Sequence, residues 1–210
     1  MRLQALFALA LFLLAGQDAM AREETLDQGV LELALSGYQK AIAAGEVDPS
    51  SLLTIIDYSR PSTEKRLFVF DPIQGSVLHA SLVAHGKNSG ANLATRFSNE
   101  VGSLRTSPGF YTTGATYHGK HGYSLKLRGL EGGINDNAMQ RHIVIHGADY
   151  VSEKFVARHG RLGRSWGCPA LPRETAGQVI DLIKDGTCLF IYCDDPGYLA
   201  QSSYIEASVD

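Results

Sequence analysis

The sequence predicts an α+β domain that is mainly β, with helices packed outside the sheet. Three observations carry this: an amphipathic helical stretch confined to the N-terminal part, short β-type runs between turn residues from residue 66 onward, and one late helical stretch between the last two runs. The 210 residues, 44% of them hydrophobic, suffice for one ordinary domain with a real core.

Met1 to Ala21 opens with a positive charge at Arg2, continues through an apolar stretch from Ala5 to Ala15 and closes on Ala19-Met20-Ala21. This is the pattern of a secretory signal peptide with cleavage before Arg22. The apolar run falls short of the roughly 20 residues that span a bilayer. The expected mature protein is exported, to the periplasm or cell envelope, with no stable membrane insertion after cleavage.

From Leu26 to Ala44, Val30, Leu31, Ala34, Leu35, Tyr38 and Ile42 recur at helical steps, predicting an amphipathic helix that ends near Gly45. A second short helix is expected after Asp48 as cap and Pro49 in the first turn, with Leu52, Leu53, Ile55 and Ile56 as its apolar face. The expected division is thus a signal peptide at 1–21, an N-terminal helical segment at 22–60 and a catalytic domain at 61–210. RLFVFD at 66–71, the turn PIQG, and SVLHASLVAHG at 76–86 read as a β-hairpin. Further strands are expected at 109–113, 123–127, 142–146 and 187–193, with a helix from Arg173 to Lys184. The stretches 86–108 and 129–138 stay irregular, and long loops in a compact domain tend to be functional or mobile.

A formal net charge of -3 without a lysine or arginine run gives no electrostatic footprint for nucleic acid, which is not an expected partner. The three cysteines are an odd number for an exported chain, so at least one thiol is left over. Cys188 and Cys193 stand five apart in TCLFIYC, on opposite faces of one strand, and read as buried structural residues. Cys168 remains.

The stretch from His142 to Pro172, HIVIHGADYVSEKFVARHGRLGRSWGCPALP, delivers His146 at the end of a strand and Cys168 after a glycine- and arginine-rich loop. A thiol attacks a carbonyl as its thiolate, and a nearby imidazole can take the proton. Cys168 is therefore the candidate nucleophile and His146 its base. Gly167 permits close backbone approach, and the amides of Gly167 and Cys168 are candidate oxyanion donors. Pro169 has none to lend. Ser165 either hydrogen-bonds within the cysteine turn or, with Gly147, helps to hold His146 in its useful tautomer. A zinc site of His142, His146 and Cys168 is the alternative from spacing, but His-x3-His suits a helix better and no carboxylate or further cysteine completes it. No metal or cofactor is expected.

VIHGADY, the glycine-rich loop and SWGCPAL resemble the catalytic signature of the L,D-transpeptidases, more closely the murein L,D-transpeptidase catalytic domain branch. SPGFYTTG at 107–114 and LFVFDPIQGSVLHASLVAHGKN look like the family's glycine-containing strand and opening hairpin. The resemblance covers about 66 to 193. It implies a β-sandwich-like catalytic domain without a cofactor, acting on the tetrapeptide stems of peptidoglycan. The cysteine would attack the bond between the third and fourth stem residues, release D-alanine and form an acyl-enzyme. A neighbouring stem amine then completes a 3-3 cross-link, whereas water would make the enzyme an L,D-carboxypeptidase.

Two departures stand out: Trp166 replaces the histidine usual between serine and glycine, and Pro169 and Ala170 stand where an arginine or asparagine is common. A non-catalytic peptidoglycan-binding module is therefore a further reading. Ser165, Trp166, His142, Arg164, Tyr123 and His121 are the candidate substrate contacts. His159 is a second candidate base if its loop folds over the cysteine. Arg158, Arg161 and Arg164 suit carboxylates, or simply form a solvated loop. Tyr117 and His118 are polar material for one wall of the cleft, as are Asn135, Asp136 and Asn137, for which turn chemistry is the equal alternative.

Overall fold

The computed structural model describes residues 25–205. The predicted signal peptide at 1–21 lies outside the described residues. Among the described residues no helix is long and apolar enough to cross a membrane.

Helix α1 (Gln28–Ala43) starts where the Asp27 side chain accepts from the Val30 amide, and its buried face is Val30, Ala34, Tyr38 and Ala41. β1 (Leu53–Asp57) follows, then the hairpin of β2 (Leu67–Asp71) and β3 (Ser76–Ser81). A second hairpin is made by β4 (Gly109–Gly119) and β5 (Gly122–Gly129). The chain continues through β6 (Val144–Ala148), α2 (Glu153–His159), β7 (Ala170–Pro172), α3 (Arg173–Ile183), β8 (Cys188–Tyr192) and α4 (Pro196–Gln201).

The strands form one eight-stranded sheet in the order β3-β2-β1-β8-β4-β5-β6-β7. β1 runs parallel to β8 and β6 parallel to β7, and the other neighbours are antiparallel. The two ends of the sheet meet: Ala84, just beyond β3, donates to the Ala170 carbonyl of β7 at 2.8 Å and accepts its amide at 3.3 Å. The expected α+β, mainly β architecture is observed.

Closure wraps the sheet around a core of Ile56, Leu67, Val69, Leu125, Ile145, Leu189 and Ile191, capped by Ala176, Val179, Ile180 and Ile183 of α3. A second core lies where α1 and Tyr198 of α4 cover Leu53, Ile55, Phe110 and Phe190.

β1 corrects the second predicted helix. Leu53 and Ile55 face one core and Ile56 the other, so every residue of LTIID is buried or nearly so. An unbroken apolar run is how a strand covered on both sides reads, and it cannot be told from a buried helix by periodicity. The expected boundary at residue 60 consequently cuts through the sheet, because β1 is hydrogen-bonded to both β2 and β8. Asp48, expected to cap that helix, instead accepts from the amide and hydroxyl of Ser50 in a turn.

Another correction concerns Cys193. β8 ends at Tyr192, the chain turns, and Cys193 joins Cys188 in the same core instead of facing the opposite side. All three cysteines are free thiols.

The segment 129–138 is tied down. Glu131 accepts from the Phe110 amide at 2.7 Å and the Ser202 hydroxyl at 2.5 Å, and Asn135 donates to the carbonyls of Pro108 and Phe110. Asp136 and Asn137 bond Asn99. These polar residues serve the turn and not a cleft.

Beneath the 83–86 segment lies a buried cation. Arg66 is fully buried and donates to the Val83 carbonyl, the Arg60 carbonyl and His85 Nδ1, with its guanidinium 4.7 Å from the Tyr58 ring centroid. Arginine only donates, so His85 Nδ1 accepts and its proton sits on Nε2. Burial and the Arg66 charge push His85 down to about 3, which keeps the ring neutral. Replacing Arg66 with methionine leaves these buried acceptors unpaired, and urea unfolding should show a loss of about 2–4 kcal/mol; an unchanged midpoint would show that the network does not support the fold.

Candidate active site

The parallel pairing of β6 with β7 places His146 and Cys168 on neighbouring segments. His146 lies opposite Ala170, and Cys168 and Val144 each stand two residues earlier on their own segments. The sulfur reaches the edge of β6: Cys168 Sγ donates to the His142 carbonyl at 3.6 Å, and the Val144 amide also bonds it.

His146 is 3% exposed, and its Nδ1 lies 3.1 Å from the Gly147 carbonyl. A carbonyl only accepts, so Nδ1 carries the proton and Nε2 keeps its lone pair. Gly147 contributes twice. Its carbonyl sets this tautomer, and its missing side chain admits α3, since a Cβ there would sit 3.1 Å from that of Ala176 and 3.2 Å from Arg173 Cα.

Burial first, then the charges of His121 and Arg173, push His146 below the ordinary histidine value, against the Gly147 hydrogen bond. The imidazole is a free base at neutral pH. Burial pushes the Cys168 thiol up, partly offset by the Val144 amide, the Arg141 charge and its own amide. The resting pair is neutral thiol and neutral imidazole.

The cysteine turn is held from several sides. Ser165 is buried; its hydroxyl donates to the Cys168 carbonyl at 2.6 Å and accepts from the Gly167 amide at 3.0 Å. Of the alternatives for Ser165, the bond within the turn is the one made. Its backbone amide donates to the His85 carbonyl, and its carbonyl accepts from Lys87. Gly167 has φ 129°, and a Cβ would meet the Arg105 carbonyl oxygen at 2.8 Å and Ile143 Cδ1 at 3.0 Å. Only glycine fits there. Its amide is committed to Ser165, which removes Gly167 from the oxyanion donors expected from sequence and leaves the Cys168 amide in that turn.

The other expected contacts separate. His121, at the tip of the β4–β5 hairpin, stacks on His146 with ring centroids 4.5 Å apart. Trp166 is 70% exposed at the rim, with Lys87 Nζ 5.7 Å from its ring centroid. His142 is not on the strand: it has φ 55°, its ring is exposed, and it offers the sulfur a carbonyl rather than an imidazole. Its ring lines a neighbouring cleft of about 440 Å³ with Tyr117, Lys126, Leu127, Met139, Ile143 and Val144. Among the described residues no group of three histidine, cysteine or carboxylate side chains is placed to hold a metal ion.

Tyr123 donates to Asp181 at 2.8 Å, tethering α3, and its ring tilts against His118. Arg164 donates to the carbonyls of Lys87 and Gly90, and Arg161 to that of Leu162, so both guanidiniums brace their own loops. Residues 153–159 are helical rather than part of a loop over the cysteine. His159 ends that helix with its ring tilted against Phe155, 4.2 Å between centroids, and Arg158 is exposed in its last turn.

Two residues were not singled out from sequence. The Thr106 hydroxyl accepts from the Gly86 amide at 3.0 Å and donates to the Gly167 carbonyl at 3.1 Å, joining an irregular segment to the Cys168 turn. Arg141 bonds the 98–107 loop beside the same turn. No local motif marks either, since the side-chain partners of Arg141 are more than thirty positions away and those of the Thr106 hydroxyl are 20 and 61 away.

The site thus holds a histidine fixed by its neighbour's carbonyl on β6 and a half-buried cysteine two residues before the paired strand β7. The family model for the L,D-transpeptidase catalytic domain matches residues 22–192, and the chain belongs to that family. No curated protein matches it. Among solved structures it is similar to an L,D-transpeptidase from Xylanimonas cellulosilytica, at 17% identity over 73% of this chain and 68% of that one, TM-score 0.43. An L,D-transpeptidase from Mycobacterium smegmatis is 16% identical over 68% and 59%, TM-score 0.40. The helical cell shape determining protein Pgp2 of Campylobacter jejuni, as a K307A mutant, is 14% identical over 81% and 58%, TM-score 0.45.

Replacing Ser165 with alanine removes both bonds that set the turn and should lower the unfolding free energy in urea by about 1–3 kcal/mol. Gly167→Ala adds backbone strain and a clash with Arg105. Wild-type stability in both variants would mean that the turn is not held as described.

Proposed function

We propose that this protein is an exported cysteine L,D-transpeptidase that acts on peptidoglycan tetrapeptide stems and forms 3-3 cross-links. The observation that carries the reading is the His146 tautomer, which leaves Nε2 unprotonated in a buried site on the strand paired with the segment that follows Cys168. Export rests on the pattern of Met1 to Ala21.

In this reading His146 Nε2 takes the Cys168 proton as the sulfur bonds to the carbonyl carbon of the third stem residue. The oxyanion of the tetrahedral intermediate faces the Cys168 amide. Collapse breaks the C–N bond to D-alanine, whose amine leaves with the proton from His146, and a thioester remains. The side-chain amine of a neighbouring stem then gives its proton to His146 and attacks the thioester. The new amide forms, the C–S bond breaks, and the sulfur recovers the proton. No step needs a metal or cofactor.

Because His146 is held below the ordinary histidine value, the base is already free at neutral pH. Acylation by a tetrapeptide should therefore rise with pH through a half-point below 6.5 and stay level through neutrality. The deciding assay incubates the mature protein and its Cys168→Ala variant with purified disaccharide-tetrapeptides and resolves products by mass. A dimer lacking one D-alanine, formed only by the intact protein, is expected. Tripeptide alone would make it a hydrolase, and unchanged substrate in both would leave a peptidoglycan-binding module. His146→Ala should lower acylation by at least about a hundredfold.

A further inference from the structure

Arg141 stands just before β6 and is half-buried. Its Nη1 donates to the Ser98 carbonyl at 2.8 Å and the Ser107 hydroxyl at 2.9 Å; its Nη2 donates to the Arg105 carbonyl and to the Ser103 hydroxyl at 3.4 Å. None of these acceptors carries a charge. The same Nη2 lies 3.3 Å from the point where a side chain on Gly167 would begin, so the guanidinium packs directly against the residue preceding the nucleophile. An arginine that spends its hydrogen bonds on neutral groups in a partly desolvated place keeps its positive field for whatever anion forms beside it.

We propose that Arg141 is the counter-charge of the reactive sulfur, a positioning residue that joins the 98–107 loop to the Cys168 turn and favours the thiolate as it forms. The proposal rests on the reading of Cys168 as nucleophile. It gives a role to a cation from a segment distant in the chain from the cysteine turn.

The other titratable groups around the sulfur do not supply a fixed charge. Tyr150 is pushed up to about 12 and Tyr58 higher still, both chiefly by burial, so each stays neutral at working pH. His146 is neutral until it accepts the proton. The interaction is mutual: the Arg141 charge lowers the thiol against its burial, and Cys168 raises the arginine against its own.

The test is the pH dependence of iodoacetamide alkylation at Cys168, followed by mass of its peptide in the mature protein, in Arg141→Gln, Arg141→Lys and Ser107→Ala. Cys188 and Cys193 are at most 1% exposed and should not compete. The glutamine variant should move the alkylation midpoint up by about one pH unit, a rate about tenfold lower anywhere below the midpoint. The lysine variant should restore most of the rate, and Ser107→Ala, which removes a bond but no charge, should leave the midpoint in place. An unmoved midpoint in Arg141→Gln overturns the proposal, as does an equal shift in the glutamine and lysine variants. If Arg141→Gln does not fold, Arg141→Met takes its place, and an unmoved midpoint there, or a midpoint moved as far in Ser107→Ala, overturns the proposal. Thiol titration does not require turnover, so a protein that cross-links stems but shows no Arg141 effect refutes this inference alone. One that shows the effect without turning over stems refutes only the functional reading.

Discussion

The site depends on the pairing of β7 with two partners at once. On one side β7 runs parallel to β6, which sets Ala170 opposite His146. On the other, Ala170 exchanges both of its backbone hydrogen bonds with Ala84, just beyond the far edge of the sheet. β7 is only three residues long, and a strand that short holds little register alone. Being clamped from both sides removes that freedom. A slip of one residue against β6 would turn the pattern to the other face and separate sulfur from imidazole.

The clamp is stiffened by polar groups with no part in the chemistry. Ala84 also accepts from the Tyr58 hydroxyl at 3.0 Å, and its neighbour Val83 accepts twice from Arg66. His85 joins these two layers, its ring bonded to Arg66 and its carbonyl to the Ser165 amide. A buried guanidinium is a costly support, and its partners here are carbonyls, an imidazole and an aromatic face rather than a carboxylate. The network thus satisfies the buried cation with hydrogen-bond acceptors that bear no charge.

Much of this was legible in the sequence, and the failures have physical causes. The first helix and α3 followed from periodicity because each has one covered and one more open side, and the β2–β3 hairpin followed from its turn residues. β1 did not, because burial on both faces erased the alternation that marks a strand. Helix α2 was passed over although Ser152 accepts from the Phe155 amide at its start and Gly160, at φ 68°, ends it. Its signal was in the caps, and none of its residues is buried to supply an apolar stripe. At the site, the bond of Ser165 within the cysteine turn was among the readings of the sequence, and it and the Gly147 carbonyl on His146 are local constraints. Arg164 and Tyr123 carry the right chemistry but are committed to the Gly90 carbonyl and Asp181, which only the folded chain reveals.

Trp166 is the departure from the common signature that most invites doubt about turnover, and its geometry bears on that doubt. Ser165 and Gly167 on either side are buried and bonded to each other, while the side chain between them points out of the turn and is largely exposed. The alternation separates two tasks along three residues. The inward positions fix the backbone that carries the sulfur, where the hydroxyl of Ser165 and the bare Cα of Gly167 are both required. The outward position meets only the rim and Lys87. The His146 tautomer is set by the Gly147 carbonyl on β6, on a separate segment of the chain. A change at 166 therefore alters what the rim presents to an incoming molecule, while Cys168 and His146 keep their supports.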